Sequence, residues 1–363
     1  MSRPRRRALP ALALGAVGAL LLAALWGGLV RIGWRFPTGG GAVVAHHGIL
    51  MTLGVLGTLI GLERAAASPW RWPVLGPLAS AGGAVALLAG SPTLGLALLL
   101  VGGLVVGALL AALLVRQPSL HGAALALGAW LWTAAVAVRW VSGATHRAVP
   151  WLAAFLVVTI AAERLELARM RSLSTSARSG FVGAVAVLLG GLVVSLVAFD
   201  AGVRIAGVGL VALASWLGAY DVTRRTIRGA GLTRYIALAL LLGYAWLGVA
   251  GGLWVVAGGV AGGPVRDAML HALFLGFVMS MVFAHAPVIL PAVLGLQIAW
   301  APSAYVPLVL LHASLLGRVL GDLSGATAVV RWMGLLNAVA ILLFPLDTAR
   351  TRLAAGGRPR AGD

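Results

Sequence analysis

Leu94-Gly-Leu-Ala-Leu-Leu-Leu-Val-Gly-Gly-Leu-Val-Val-Gly-Ala-Leu-Leu-Ala-Ala-Leu-Leu-Val115 runs for 22 residues without one polar side chain. A helix needs about 20 such residues to cross the ~30 Å hydrocarbon layer, and it satisfies its backbone hydrogen bonds internally on the way. The stretch is apolar on every side, as is most of Phe181 to Phe199, so the alternation of a transmembrane β-strand is missing. The rest of the chain follows suit. It is 61% hydrophobic and only 10% charged, a balance for which lipid is the fitting solvent.

Cutting at charged and Pro/Gly-rich breaks gives an all-α polytopic membrane protein of about twelve spans. They fall near Ala8–Val30, Ala45–Leu62, Pro73–Gly90, Thr93–Val115, Leu120–Val138 and Val149–Leu167 in the first half. The second half supplies Gly180–Phe199, Gly202–Tyr220, Tyr235–Ala257, Ala268–Leu290, Ser303–Leu320 and Trp332–Leu346. The connections are too short to fold alone, so residues 1–363 read as a single transmembrane domain with no soluble domain. The first apolar run follows Arg-rich residues but exceeds a signal-peptide core and is read as an uncleaved helix.

All 27 basic residues are arginine, against 9 acidic ones. With the N-terminus inside, 19 of the 27 fall on cytoplasmic segments, which fits retention of positive charge on that side. Both ends are therefore expected in the cytoplasm, with the protein in the inner (cytoplasmic) membrane of a prokaryote. The net charge of +18 is spread over short loops, where topology and anionic lipid account for it, so the bilayer rather than nucleic acid is the expected partner. The lack of cysteine excludes disulfides, thiolate-held iron–sulfur clusters, covalent c-type haem and a binuclear thiolate copper centre.

Ionisable residues inside spans are costly and mark sites. His46 and His47 open the second span and His271 opens the tenth, which runs in the same direction, so the three are expected at matched depth near the outer face. Two imidazoles at one depth suit the axial positions of a noncovalent haem. Gly48, Gly54, Gly57, Gly61 and Gly276 leave room for a macrocycle or for a close helix neighbour. The bland alternative is hydrogen bonding of these histidines to carbonyls or headgroups.

A second layer is expected at the inner ends, where Glu63-Arg64, Glu163-Arg164-Leu-Glu166 and His285 close the second, sixth and tenth spans. It reads either as a salt-bridge rim or as a metal, quinol or proton site. His285 lies 14 residues beyond His271, roughly 21 Å deeper and about 40° around a regular helix, so the two are expected to share a face. The Glu-Arg pairs, 100 residues apart, hint at three pseudo-equivalent four-helix units, about 1–115, 116–230 and 231–350. In the eleventh span, Arg318 and Asp322 are spaced to pair along one face, and His312 sits deep enough to serve as a ligand or to bond a neighbouring helix.

The run Ala45-His46-His47-Gly48-Ile49-Leu50-Met51 resembles the second-helix His-Gly-x-x-Met pattern of haem-copper oxidase catalytic subunits. More distantly, the chain is similar to the NnrS family of haem and copper membrane proteins of the nitric-oxide response. The resemblance implies twelve spans, a b-type haem and axial ligation by His47 and His271, with His46 in reserve. It does not extend to copper, because Trp151 to Leu167 and Phe181 to Phe199 lack the histidines that the oxidases place in their sixth and seventh helices.

The expected function is thus a haem-binding, oxidase-like membrane protein, an oxidoreductase-type electron carrier or a handler of nitric oxide or metal, served by an electron-donor protein or quinol. One rival is a proton- or cation-coupled transporter using Glu63, Glu163 and His285. Another is a structural or assembly subunit whose histidines point to lipid.

Overall fold

The computed structural model describes residues 3–36, 41–168, 173–294 and 300–356. Arg169, Arg171, Arg358 and Arg360, counted above as cytoplasmic, lie outside them. Among the described residues the chain is helical without a strand. Ten helices are long and apolar enough to cross a membrane, and two shorter apolar ones, Gly15–Arg31 and Trp72–Leu88, take the places of the first and third expected spans. The protein is a polytopic helical membrane protein.

In chain order these are α1 (Arg3–Arg31), α2 (Gly41–Ala66), α3 (Trp72–Leu88), α4 (Pro92–Arg116), α5 (Leu120–Ser142), α6 (Thr145–Ala168), α7 (Thr175–Val197), α8 (Phe199–Tyr220), α9 (Gly231–Ala257), α10 (from Pro264), α11 (Tyr305–Ser324) and α12 (Thr327–Gly356). Local chemistry sets many of the ends. Pro92 and Pro264 open α4 and α10, where no amide donor is needed. Ser119 and Ser174 cap α5 and α7 by accepting the Gly122 and Ala177 amides at 3.2 Å. Gly143 and Gly325 end α5 and α11 in the left-handed conformation.

The chain packs as two compact units, residues 1–163 and 164–363. The unit reading from sequence concerns equivalence between helices, whereas this division concerns contact. In the first unit α1 to α5 pack in sequence, with a core made by Val17, Leu20 and Ala24 of α1, Leu50 and Val55 of α2, and Ala84 of α3. In the second, α7 to α12 also pack in sequence. Small residues set the spacing, as expected where lipid gives helices no hydrophobic reason to associate. At the α8–α9 crossing, a methyl group on Gly207 would lie 2.8 Å from the Gly251 carbonyl oxygen, and the reverse also holds.

Two helices depart from regular winding. In α2 the residues Leu50–Gly57 form a π-helical stretch between Gly41–Ile49 and Thr58–Ala66. In α10 the residues Ala272–Met279 do the same between Pro264–His271 and Ser280–Leu294. Wide turns of this kind are rare and gather at functional sites. Here one begins three residues after His47 and the other immediately after His271.

Candidate functional site

His47 is seated against α1. Its Nδ1 lies 2.7 Å from the Ala24 carbonyl oxygen, which only accepts, so the ring proton is on Nδ1 and the lone pair of the neutral ring is on Nε2. Gly28 makes space for this, because a methyl group there would lie 2.8 Å from His47 Cε1. His46 has Arg139 of α5 as an electrostatic neighbour. The buried Arg139 Nε has no hydrogen-bond partner among the described residues, and the side chain borders an apolar crevice with Ile49, Leu53, Leu96 and Leu99.

On α10, His271 shows the same tautomer by the same reasoning, with Nδ1 2.8 Å from the Asp267 carbonyl oxygen. The Asp267 side chain adds Oδ1 at 3.2 Å from that nitrogen. Arg318 of α11 holds the other carboxylate oxygen through Nε at 3.0 Å and a terminal nitrogen at 2.8 Å. The expected pairing of Arg318 with Asp322 is thereby corrected: the guanidinium turns to Asp267 on α10, and the Asp322 carboxyl lies against Asp267 as well, its Oδ2 buried with no hydrogen-bond partner among the described residues. Helix packing brought a carboxylate 51 residues away into better reach than the one four residues along.

The glycines serve helix neighbours. Methyl groups on Gly54 and Gly61 would meet Ala84 Cβ at 2.9 Å and Pro77 Cδ at 3.2 Å, while Gly57 faces the Trp132 ring at 3.0 Å. On Gly276 a methyl group would lie 2.5 Å from Trp246 Cβ and Cγ. Only Gly48 of this set has nothing within 4 Å.

His312 is committed to the frame of the second unit. Trp246 Nε1–H donates to its Nδ1 at 3.0 Å, so the proton of the neutral ring is on Nε2 and points to Ser280 Oγ at 3.3 Å. Ser280 in turn donates to the Gly276 carbonyl inside the π stretch at 2.5 Å. In α2, Ser80 of α3 donates to the Leu53 carbonyl at 2.7 Å. In both helices a serine hydroxyl satisfies a carbonyl of the wide turns.

The inner residues fall into two sets of charged contacts. Arg64 pairs with Glu163, and Glu63 is likewise engaged. Arg164 is buried against Asp221, with Nε–Oδ2 at 2.6 Å and NH2–Oδ1 at 3.0 Å. The Thr223 amide and Tyr244 hydroxyl donate to the same carboxylate at 2.8 and 2.9 Å. Burial works against the charge on Asp221, but the Arg164 guanidinium, aided by those two donors, holds its carboxyl below the usual carboxylate range. His285 sends Nδ1–H to the Met281 carbonyl at 2.7 Å and presents Nε2 to Arg164 at 3.4 Å. The 40° estimate for His271 and His285 assumed regular winding; the π stretch between them changes the count, and the two rings find different partners.

Among the described residues no three or more His, Asp or Glu side chains gather to hold a metal ion. What the arrangement offers is single imidazoles with fixed tautomers. Asp267, Asp221, Tyr244, Trp246 and Ser280 were not singled out from the sequence. The Asp267-x-x-x-His271 spacing, one helical turn, is the signal that could have found the first of them.

A family model matches residues 7–352 of the 363-residue chain. The chain belongs to the family described as Domain of unknown function (DUF8744). The candidate-site residues all lie within the matched segment. No curated protein and no solved structure matches the chain.

Proposed function

We propose that this protein binds a noncovalent b-type haem through His47 and His271, with His46 as the alternative donor, and works in electron transfer or in handling nitric oxide. The observation that carries the reading is the orientation of the two rings. Each gives Nδ1–H to a backbone carbonyl, at 2.7 and 2.8 Å, and so carries its lone pair on Nε2, the state in which a histidine ligates a metal. The π stretches that begin just after these residues support a site there. Haem supplies one-electron chemistry and, at an open iron position, the binding of a diatomic gas. The chain's own part is to fix the tautomers and to hold the imidazoles by Ala24 and Asp267.

His285 and His312 are not assigned to the cofactor, since the Nε2 of one faces a guanidinium and both ring nitrogens of the other are engaged. The arginine asymmetry supports an inner-membrane protein with both ends in the cytoplasm, where a quinol or an electron-donor protein would meet it.

The test is a reduced-minus-oxidised visible spectrum of the protein purified from haem-replete cells, beside His47→Ala and His271→Ala. Wild type is expected to show a Soret band and the α band of a low-spin haem, and each variant to lose the low-spin signature. A wild-type protein with no Soret band would falsify the reading.

A further inference from the structure

The connection from α2 to α3 forms a stiff step at one end of the first unit. It reads Ser68-Pro69-Trp70-Arg71-Trp72-Pro73, and a proline on either side of the tryptophans restricts the backbone there. The Trp70 amide donates to the Ser68 hydroxyl at 3.1 Å, and the Val74 amide to the Arg71 carbonyl at 3.4 Å. The two indoles stack, with centroids 6.2 Å apart and planes at 29°. Arg116, the last residue of α4, lays its guanidinium over the Trp70 ring, with Cζ 4.4 Å from the centroid. Arg71 and Arg116 are both exposed, and among the described residues neither guanidinium has a hydrogen bond or an ion pair. The two carboxylates of this unit are taken, Glu163 by Arg64 and Glu63 by contacts of its own. Beside the charged step the surface is apolar: Leu75 and Leu78 stand exposed within two turns of Trp72, and Val115 next to Arg116.

We propose that Arg71 and Arg116, set on the Trp70–Trp72 stack, form a binding site for the phosphodiester headgroup of an anionic phospholipid whose acyl chains lie along Leu75, Leu78 and Val115. A guanidinium held flat on an indole keeps its N–H edge free, and that edge matches two oxygens of one phosphate. Tryptophan rings settle at the level of the headgroups, where the stack places the two cations. Two positive charges that no carboxylate offsets favour a lipid of net negative charge over a zwitterionic one. Elsewhere the fold binds its arginines to its own carboxylates, as Arg164 to Asp221, Arg204 to Asp200 and Arg318 to Asp267. Here the matching anion has to come from outside the chain. The site uses none of the candidate histidines and is independent of the haem reading.

The test is a titration of the detergent-purified full-length protein with dioleoylphosphatidylglycerol, counted by native mass spectrometry beside dioleoylphosphatidylcholine. The most tightly held phosphatidylglycerol is expected to bind about tenfold or more tighter than phosphatidylcholine. Arg71→Gln and Arg116→Gln should each weaken it about fivefold, the effect of one basic side chain at a membrane surface. Arg35→Gln, at the opposite end of the same unit, should leave it unchanged. Arg116→Lys keeps the charge without the planar fork and is expected to recover only part of the loss. Equal uptake of the two lipids, or uptake indifferent to both glutamine variants, overturns the proposal. Full recovery by Arg116→Lys does so too, since charge alone would then explain the binding. Displacement of the lipid by millimolar inorganic phosphate would give the site to a soluble anion and likewise overturn it.

Discussion

Asp221 receives both arms of the Arg164 guanidinium, at 2.6 and 3.0 Å, with its own side chain 1% exposed and that of arginine 4%. Removing one member of such a pair leaves an uncompensated charge, at a cost of about 3–5 kcal/mol, whereas replacing both by apolar groups is often neutral. Asp221→Ala is therefore expected to lower the unfolding free energy in detergent by that order, and an Arg164→Met/Asp221→Leu double variant to recover much of it. Denaturant titration followed by tryptophan fluorescence distinguishes the two.

The same pair has a pH signature. The Asp221 carboxyl is held below its unfolded value, so the stability it contributes is fully present above about pH 4 and is lost as pH falls through the lower folded value. The stability gap between wild type and Asp221→Asn is expected to be flat from neutral pH to about pH 4 and to close below it. A gap that closes between pH 5 and 8 would assign the effect to a histidine instead.

Arg318 and Asp322 should behave unequally. Arg318→Met removes the guanidinium that grips the Asp267 carboxylate and is expected to cost about 1–3 kcal/mol, while Asp322→Asn disturbs only the carboxyl contact of Asp322 with Asp267 and costs less. Equal losses, with strong coupling in the double variant, would restore the local pairing that the spacing alone suggests.

Gly276→Ala places a methyl group 2.5 Å from the root of the Trp246 side chain, which has no freedom to retreat. A loss of about 1–3 kcal/mol is expected, with a shifted Trp246 environment as the indole loses its bond to His312. Gly48→Ala meets nothing and serves as the control. Unfolding midpoints of the two variants should separate clearly.

His312→Phe removes an acceptor for Trp246 and a donor to Ser280, and stability is expected to fall by about 1–3 kcal/mol. Haem content per protein should be unchanged. Loss of the Soret band in this variant, with the protein still folded, would move the ligand set to α11.

The spans could be read from the sequence because lipid imposes a length and a polarity that few other environments demand. The histidines stood out for a related reason: an ionisable ring in an apolar run has few explanations. Their partners did not. Asp267 and Asp221 sit at the margins of spans, where a loop accounts for a charge without further cause. Arg318 choosing Asp267 over Asp322 depends on how α10 lies against α11, which spacing within one helix does not report. The π stretches were hidden because Leu50–Gly57 and Ala272–Met279 are apolar almost throughout, so no polar face marks the change of pitch.

Leu50 and Ala272 stand 222 positions apart, and at that offset Gly54 matches Gly276, Thr58 matches Ser280 and Glu63 matches His285. Each widened stretch acts as a one-residue shim: shaving a residue from Leu50–Gly57 or Ala272–Met279 would let the helix close to ordinary pitch and turn everything on one side of the cut by about 100° relative to the other. The serines, the glycines facing tryptophan and the imidazoles would then no longer share one alignment. The extra residue is what lets the histidine turn and the rest of its helix answer to different neighbours, like two gears keyed on one shaft at a chosen angle.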